Sequence, residues 1–440
     1  MKLALLGGGG FRVPLVFRAL VDEADSPIDE LWLYDASVER LKAIEQVLRR
    51  LQPESSSLSV HSTTSLADAV AGSDFVFSAI RVGGLEGRIA DERAALSLGV
   101  LGQETTGPGG IAYALRTIPV ALEIAEAVRE LAPRAVVINF TNPVGMITEA
   151  MQSVLGNRVI GICDTPSGLG KRVAGLFGVD PERVSLDYVG LNHLGWLRSI
   201  HYRGRDLVAE LLGDDVLLSE LEEAQVFGAD WLRTLGMIPN EYLYYFYFNR
   251  ESVEAITNSA QTRGEFLAEQ QSRFYAEVQA RPAAALELWM HTHDERESTY
   301  MNEARSGADD RHDLSGGGYE RVALTLMSAI ARNERHTMIL NVRNGTVFAG
   351  LAENAVIEVP CLVDGSGVHP LATTPPPPAE FALMQQMKAV EQLAIRSVVE
   401  GDSSLAFKAI ANHPLVSSVA VARELFEAYR RNSSELLGQN

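Results

Sequence analysis

The first third of the chain alternates between short apolar runs and amphipathic stretches, and this alternation constrains the fold more than any other feature. Lys2–Leu6, Glu30–Tyr34, Leu58–His61, Asp74–Ile80, Ala135–Phe140 and Arg158–Cys163 have the length and composition of strands. Between them, Val13–Asp22, Ala36–Leu51, Ser65–Ala71, Ala112–Leu131 and Pro143–Val154 carry helical spacing, with Pro119 a possible kink. Such a pattern predicts right-handed crossovers and a parallel sheet. Ligands of these sheets gather beyond the C-terminal ends of the strands. The glycine and polar clusters fall there: Gly7–Gly10, Asp35, Arg81–Gly110, Thr141–Pro143 and Cys163–Pro166. Five loops are therefore expected to meet in one crevice.

After about residue 167 the pattern changes. Val184–Leu191 and Leu197–Tyr202 read as antiparallel strands, Ala355–Val363 as another strand, and Ala379–Gly401 and Ser417–Leu437 as long helices. Thr373–Pro378 reads as a stiff extended connector. A chain of 440 residues exceeds what one core normally supports, so two domains are expected, 1–166 and 167–440. The second is expected to be α+β. No repeat of fixed period is visible.

The formal net charge of −19 argues against partners that demand a basic footprint, nucleic acid or an anionic membrane. It also means that an anionic substrate must be met by a few local arginines. No apolar run reaches membrane-spanning length, and Met1–Leu6 meets Gly7 too early for a signal peptide. Two cysteines, Cys163 and Cys361, do not make a disulfide framework, which points to a cytoplasmic chain with reduced thiols.

Gly8-Gly9-Gly10, after a strand and before a helix, lets backbone amides approach a pyrophosphate, although Val13 stands where a third glycine is usual. Asp35, 25 residues after Gly10 at the end of the second strand, suits a ribose 2′-hydroxyl and favours NAD over NADP. Cys163 and His193 each read singly as core residues, and spacing alone does not pair them; together they would suit a borderline divalent ion. Arg81, Arg88 and Arg93 suggest an anion at the crevice mouth or an arginine-rich helix start. Val100–Gly110 reads as a ligand-facing loop. Tyr242, Tyr244, Tyr245 and Tyr247 form an aromatic cluster from which one base could come. His291-Thr292-His293 reads as a polar loop.

Taken in order, several stretches resemble glycoside hydrolase family 4. They are Gly7–Pro14, Leu33–Asp35, Ile80–Arg88, Gly99–Gly110, Asn139–Pro143, Gly161–Pro166, Gly190–Trp196, Pro239–Leu243, Thr262-Arg263 and Val359–Cys361. The resemblance implies a Rossmann-type NAD-binding domain followed by a domain similar to the second half of lactate and malate dehydrogenases. It also implies NAD⁺, a divalent metal, usually Mn²⁺, and a homodimer or homotetramer. Residue by residue, Gly8, Gly9, Gly10, Phe11 and Asp35 fall to the cofactor, and Cys163 and His193 to the metal. Tyr242 falls to the C2 base and Asp164 to the leaving-group acid. Arg88 and Arg263 fall to the substrate phosphate, and Asn142, Glu104 and Asn192 to other substrate contacts.

The implied chemistry oxidises C3 of the sugar, removes the acidified C2 proton, expels the C1 substituent, adds water and returns the hydride. It needs no pair of carboxylates astride C1, the usual glycosidase arrangement. Cys163-Asp164 resembles the phosphorylated-sugar branch of the family. Arg81–Glu86 and Asn139–Gly145 look more like 6-phospho-β-glucosidases, whereas Asp164 itself is the residue of 6-phospho-α-glucosidases. The β-reading is preferred. The alternatives are the α-enzyme, an NAD-dependent dehydrogenase of a sugar phosphate or hydroxy acid, and a non-catalytic sugar-phosphate sensor.

Overall fold

The computed structural model describes residues 1–23, 25–298 and 318–437. Six strands of the first half pair in parallel: β1 (Lys2–Leu6), β2 (Glu30–Tyr34), β3 (Ser59–Thr63), β4 (Phe75–Ser78), β5 (Val136–Asn139) and β6 (Val159–Gly161). Their order is β3-β2-β1-β4-β5-β6, the doubly wound arrangement, which reverses direction between β1 and β4. A crevice opens at that reversal because the connections after the two strands leave towards opposite faces.

The same sheet continues past β6 with antiparallel strands. These are β7 (Ser185–Leu191), β8 (Leu194–Tyr202), β9 (Arg205–Asp206), β10 (Ile238–Pro239), β11 (His336–Arg343), β12 (Val356–Asp364) and β13 (Gly367–Pro370). Their path is β6-β11-β12-β7-β8-β10, with β13 on β12 and β9 on β8. The expected pair 184–191 and 197–202 is the β7–β8 hairpin.

Residues alternating along a strand point to opposite faces, and the parallel strands fill two cores in this way. Leu3, Leu5, Phe77, Ile138 and Ile160 enter one, and Ala4, Leu6, Val76, Val137 and Val159 the other. The second core is closed by the end of the chain. Val390 and Ala394 of helix Pro378–Glu400, Ile410 of helix Ser403–Asn412 and Leu425 of helix Val419–Leu437 pack there beside Ile124 and Val128. Buried Lys388 pins this return by pairing with Glu149 at 3.1 Å and with Glu391. Residues 1–166 and 167–440 therefore share one sheet and both cores.

Two segments differ from the pattern their sequence suggests. The stretch 81–110, expected as loop with an arginine-rich helix start as the alternative, contains helix Gly84–Leu96 and the start of helix Pro108–Leu131. The first of these buries Arg88, Asp91 and Glu92, charges paired inside the protein, so its inward face lacks apolar periodicity. His291-Thr292-His293 is not a loop but part of helix Ala285–Ser298, where Trp289 supplies the buried anchor. The sequence pattern does not announce strand β11, helix Ser403–Asn412 or the helices Arg263–Ala280 and Tyr319–Arg332. Among the described residues no helix is long and apolar enough to cross a membrane. Both cysteines are free and buried.

Candidate active site

A cavity of about 870 Å³ lies at the C-terminal ends of the parallel strands. Gly10, Phe11, Arg88, Glu104, Asn142, Cys163, Asp164, His193, Tyr242 and Arg263 all line it. Gly8, Gly9 and Asp35 do not line it; the two glycines lie within the glycine loop, and Asp35 braces that loop through the Gly9 amide. Asn192 faces a separate small pocket and donates its amide to Glu358 at 3.4 Å.

The glycine loop has the shape of a dinucleotide cradle. A Cβ on Gly8 would lie 2.7 Å from Leu33 Cβ and 2.9 Å from the Tyr34 amide, so only glycine lets the loop rest on β2. Asp35 accepts from the Gly9 amide through one oxygen and from the Ser37 amide through the other, both at 3.0 Å, which fixes the carboxylate at the strand end. The Phe11 amide, just before helix Val13–Asp22, meets no acceptor among the described residues. An unpartnered amide at a helix start suits a pyrophosphate oxygen. On the reverse side, three carbonyls of the loop are held from the second half of the chain. The Tyr275 hydroxyl donates to Gly9 (2.7 Å), the Trp289 indole to Phe11 (2.8 Å) and the Tyr319 hydroxyl to Arg12 (3.0 Å).

The candidate metal ligands come from different elements. Cys163 follows β6, and His193 occupies the two-residue turn between β7 and β8 with φ at +62°, a left-handed conformation uncommon outside glycine. Burial lowers the imidazole pKa to about 4, so the ring is neutral and carries a lone pair. Its Nδ1 faces Thr105 Oγ1 at 3.2 Å. Burial raises the Cys163 thiol well above its ordinary value, and Glu358 and Asp164 push the same way. The sulfur therefore keeps its proton until a cation displaces it. Asn142 Oδ1 is buried beside them without a partner. No group of three or more His, Cys, Asp or Glu side chains gathers among the described residues. The donor set fits a divalent ion whose remaining positions go to ligand oxygens.

Tyr242 stacks on His193, ring centroids 3.7 Å apart and nearly parallel. Tyr245 also lines the cavity, whereas Tyr244 and Tyr247 pack edge-on against Phe227. The Tyr247 hydroxyl accepts from the Trp196 indole at 3.0 Å, and burial lifts its pKa to about 12. Asp164 sits at the start of helix Thr165–Leu176.

Eight arginines and lysines line the cavity against four carboxylates, an excess of four positive charges in a chain of net −19. Arg88 is engaged inside the protein: its Nε donates to Glu92 at 2.6 Å and its Nη1 pairs with Glu104 at 2.9 Å. Arg81 holds the other Glu104 oxygen. Burial alone would raise the Glu104 pKa, but the two arginines outweigh it and hold the carboxyl at about 2. Arg93 lies outside the cavity, paired with Glu265. Sequence reasoning missed Lys171, Arg172 and Arg296, which also line the cavity; isolated cations on helices leave no motif.

Residues 2–179 match the pattern described as Family 4 glycosyl hydrolase, and residues 188–416 match the Family 4 glycosyl hydrolase C-terminal domain. A probable 6-phospho-beta-glucosidase of Bacillus subtilis is 31% identical over 97% of this chain and 95% of its own length. The structure of the 6-phospho-beta glucosidase from Thermotoga maritima with manganese, NAD⁺ and glucose-6-phosphate superposes with a TM-score of 0.83 at 28% identity, covering 99% of each chain. A 6-phospho-alpha-glucosidase from gut microorganisms in complex with NAD and Mn²⁺ gives 0.82 at 25% identity, covering 99% of this chain and 98% of its own.

Proposed function

The chain belongs to family 4 of the glycosyl hydrolases, and on that premise we propose that it hydrolyses 6-phospho-β-glucosides with NAD⁺ and a divalent cation, Mn²⁺ above all. Gly8–Phe11 and Asp35 would hold the dinucleotide, and Cys163 with His193 the cation. When bound, these groups supply a reversible hydride acceptor for sugar C3 and a Lewis acid for the resulting carbonyl.

The protein's own residues do the rest. Tyr242 removes the C2 proton, which the neighbouring carbonyl has made acidic, through its side-chain oxygen. Its ring lies flat against the His193 imidazole, so the base and a metal ligand keep a fixed separation. Asp164, at the same cavity wall, gives a proton to the departing C1 oxygen. Asn142, with its unpartnered carbonyl oxygen, accepts from a sugar hydroxyl. Arg263 meets the 6-phosphate, and Arg88 joins it by exchanging its Glu104 contact for a phosphate oxygen.

The observation that carries this reading is the convergence of Cys163, His193 and Tyr242 on the cavity into which the glycine loop opens. The β-preference is supported by Arg81–Glu86, by Asn139–Gly145 and by the names of the Bacillus subtilis and Thermotoga maritima relatives.

A paired assay of chromogenic α- and β-glucoside 6-phosphates, with and without NAD⁺, Mn²⁺ and a chelator, tests it. The expected result is aglycone release from the β-anomer that needs both cofactors and uses NAD⁺ in catalytic amount. Stoichiometric NADH, or turnover that survives chelation, would overturn the reading.

A further inference from the structure

The parallel and antiparallel parts of the sheet are stitched together along a single row. β6 pairs with β11 through Gly161 and Asn341, β11 with β12 through Asn341 and Glu358, and β12 with β7 through Glu358 and Gly190. The first and last of these pairings have no other residue pair in register. Cys163 lies two residues beyond one end of the row and His193 three beyond the other. The two candidate metal ligands thus belong to different parts of the sheet, and their separation depends on this row.

The middle of the row is polar and fully buried. Asn341 donates to Glu358 at 2.7 Å, and Asn192, next to His193, donates to the same oxygen at 3.4 Å. The Tyr188 hydroxyl lies close to the same carboxyl and acts on it electrostatically, while the second carboxyl oxygen, Oε2, is buried without a hydrogen-bond partner. Tyr188 in turn accepts from the Asn240 amide at 3.1 Å, while Asn240 Oδ1 accepts from the Tyr242 backbone amide at 3.0 Å. Glycines make room for this arrangement. A Cβ on Gly161 would lie 2.8 Å from Asn341 Cβ, and one on Gly195 would lie 2.4 Å from the Tyr188 hydroxyl. A buried carboxyl in mid-sheet is costly, and two apolar side chains would hold the strands together at least as well.

We propose that Glu358 is a positioning residue: through Asn341, Asn192 and Tyr188–Asn240 it sets the relative placement of Cys163, His193 and Tyr242. The proposal rests on the assignment of those three residues to the metal and the base. Glu358 touches neither substrate nor cofactor in this scheme. Groups that orient metal ligands typically change metal affinity by roughly tenfold to a hundredfold when replaced.

The test is a titration of the purified full-length protein with Mn²⁺ alone, read by the EPR signal of the free ion, with Co²⁺ as a second probe of the thiolate-to-metal absorption band. Glu358→Gln keeps the shape but presents an amide to groups that donate. It is expected to retain its melting temperature within a few degrees, to bind Mn²⁺ roughly tenfold or more weakly and to lose intensity in the cobalt band. Tyr188→Phe cuts only the branch to Asn240. It is expected to bind Mn²⁺ as wild type does while washing deuterium out of substrate C2 several-fold more slowly, and it carries the test if Glu358→Gln does not fold. A folded Glu358→Gln that binds Mn²⁺ within twofold of wild type, or a Tyr188→Phe that exchanges at the wild-type rate, overturns the proposal. Cys163→Ser in the same titration separates the two levels. If it also binds at wild-type strength, the metal assignment itself is wrong; if it weakens while Glu358→Gln does not, only the positioning role falls.

Discussion

Replacing Glu104 by glutamine removes the charge that two arginines share. In the wild type one carboxylate oxygen takes Arg81 and the other takes Arg88, and little of the side chain reaches solvent. Burial disfavours the charge, yet the arginines prevail and bring the pKa from 4.5 to about 2. That displacement corresponds to roughly 3 kcal/mol in favour of the ionised form. Because the folded-state pKa is depressed, this stability is fully present above the unfolded value near 4.5 and is lost as pH falls towards 2. Glu104→Gln should therefore be about 3 kcal/mol less stable than wild type at pH 7, with the gap closing between about pH 4.5 and 2. Urea unfolding of both proteins at a series of pH values measures the difference, in which the other carboxylates cancel. A difference that is near zero at pH 7, or that persists undiminished at the acid end, would refute the ion-pair reasoning.

Tyr242→Phe should slow the loss of deuterium from substrate C2 by at least about a hundredfold, the scale of a lost general base; an unchanged rate would move the base elsewhere, Tyr245 being the other tyrosine of the cluster on the cavity wall. Arg263→Ala should raise KM for a phosphorylated substrate, by about 1.5–3 kcal/mol in binding, far more than for the unphosphorylated analogue; equal effects would remove its phosphate role. Trp289→Phe leaves the buried Phe11 carbonyl without its donor. It should cost about 1–3 kcal/mol of stability and weaken NAD⁺ binding measured by calorimetry; unchanged affinity would show that the glycine loop holds its shape without the indole.

The parallel half of the fold was legible because its signals are local. Apolar runs such as Asp74–Ile80 and the glycines after β1 carry their own meaning, and buried parallel strands admit few substitutes. At Arg88 a helix start was only one of two readings, and the helix's buried face was not legible, because that face is charged and the partners that make those charges acceptable, Glu104 and Arg116, lie elsewhere in the sequence. For the same reason spacing alone could not pair Cys163 with His193. They are brought near one another by β11 and β12, which lie more than 140 residues after His193 in the chain. The resemblance to a family supplied what spacing lacked. It did not reveal Glu358, which reads in sequence as one polar residue in a strand and acquires its meaning only from the row of neighbours that converge on it.

Breaking the glycosidic bond by elimination requires a proton to leave C2, and the isotopic content of the product reports that step. Hydrolysis in D₂O, followed by NMR of the released glucose 6-phosphate, should show deuterium at C2. Complete turnover with only protium at C2 would contradict the account.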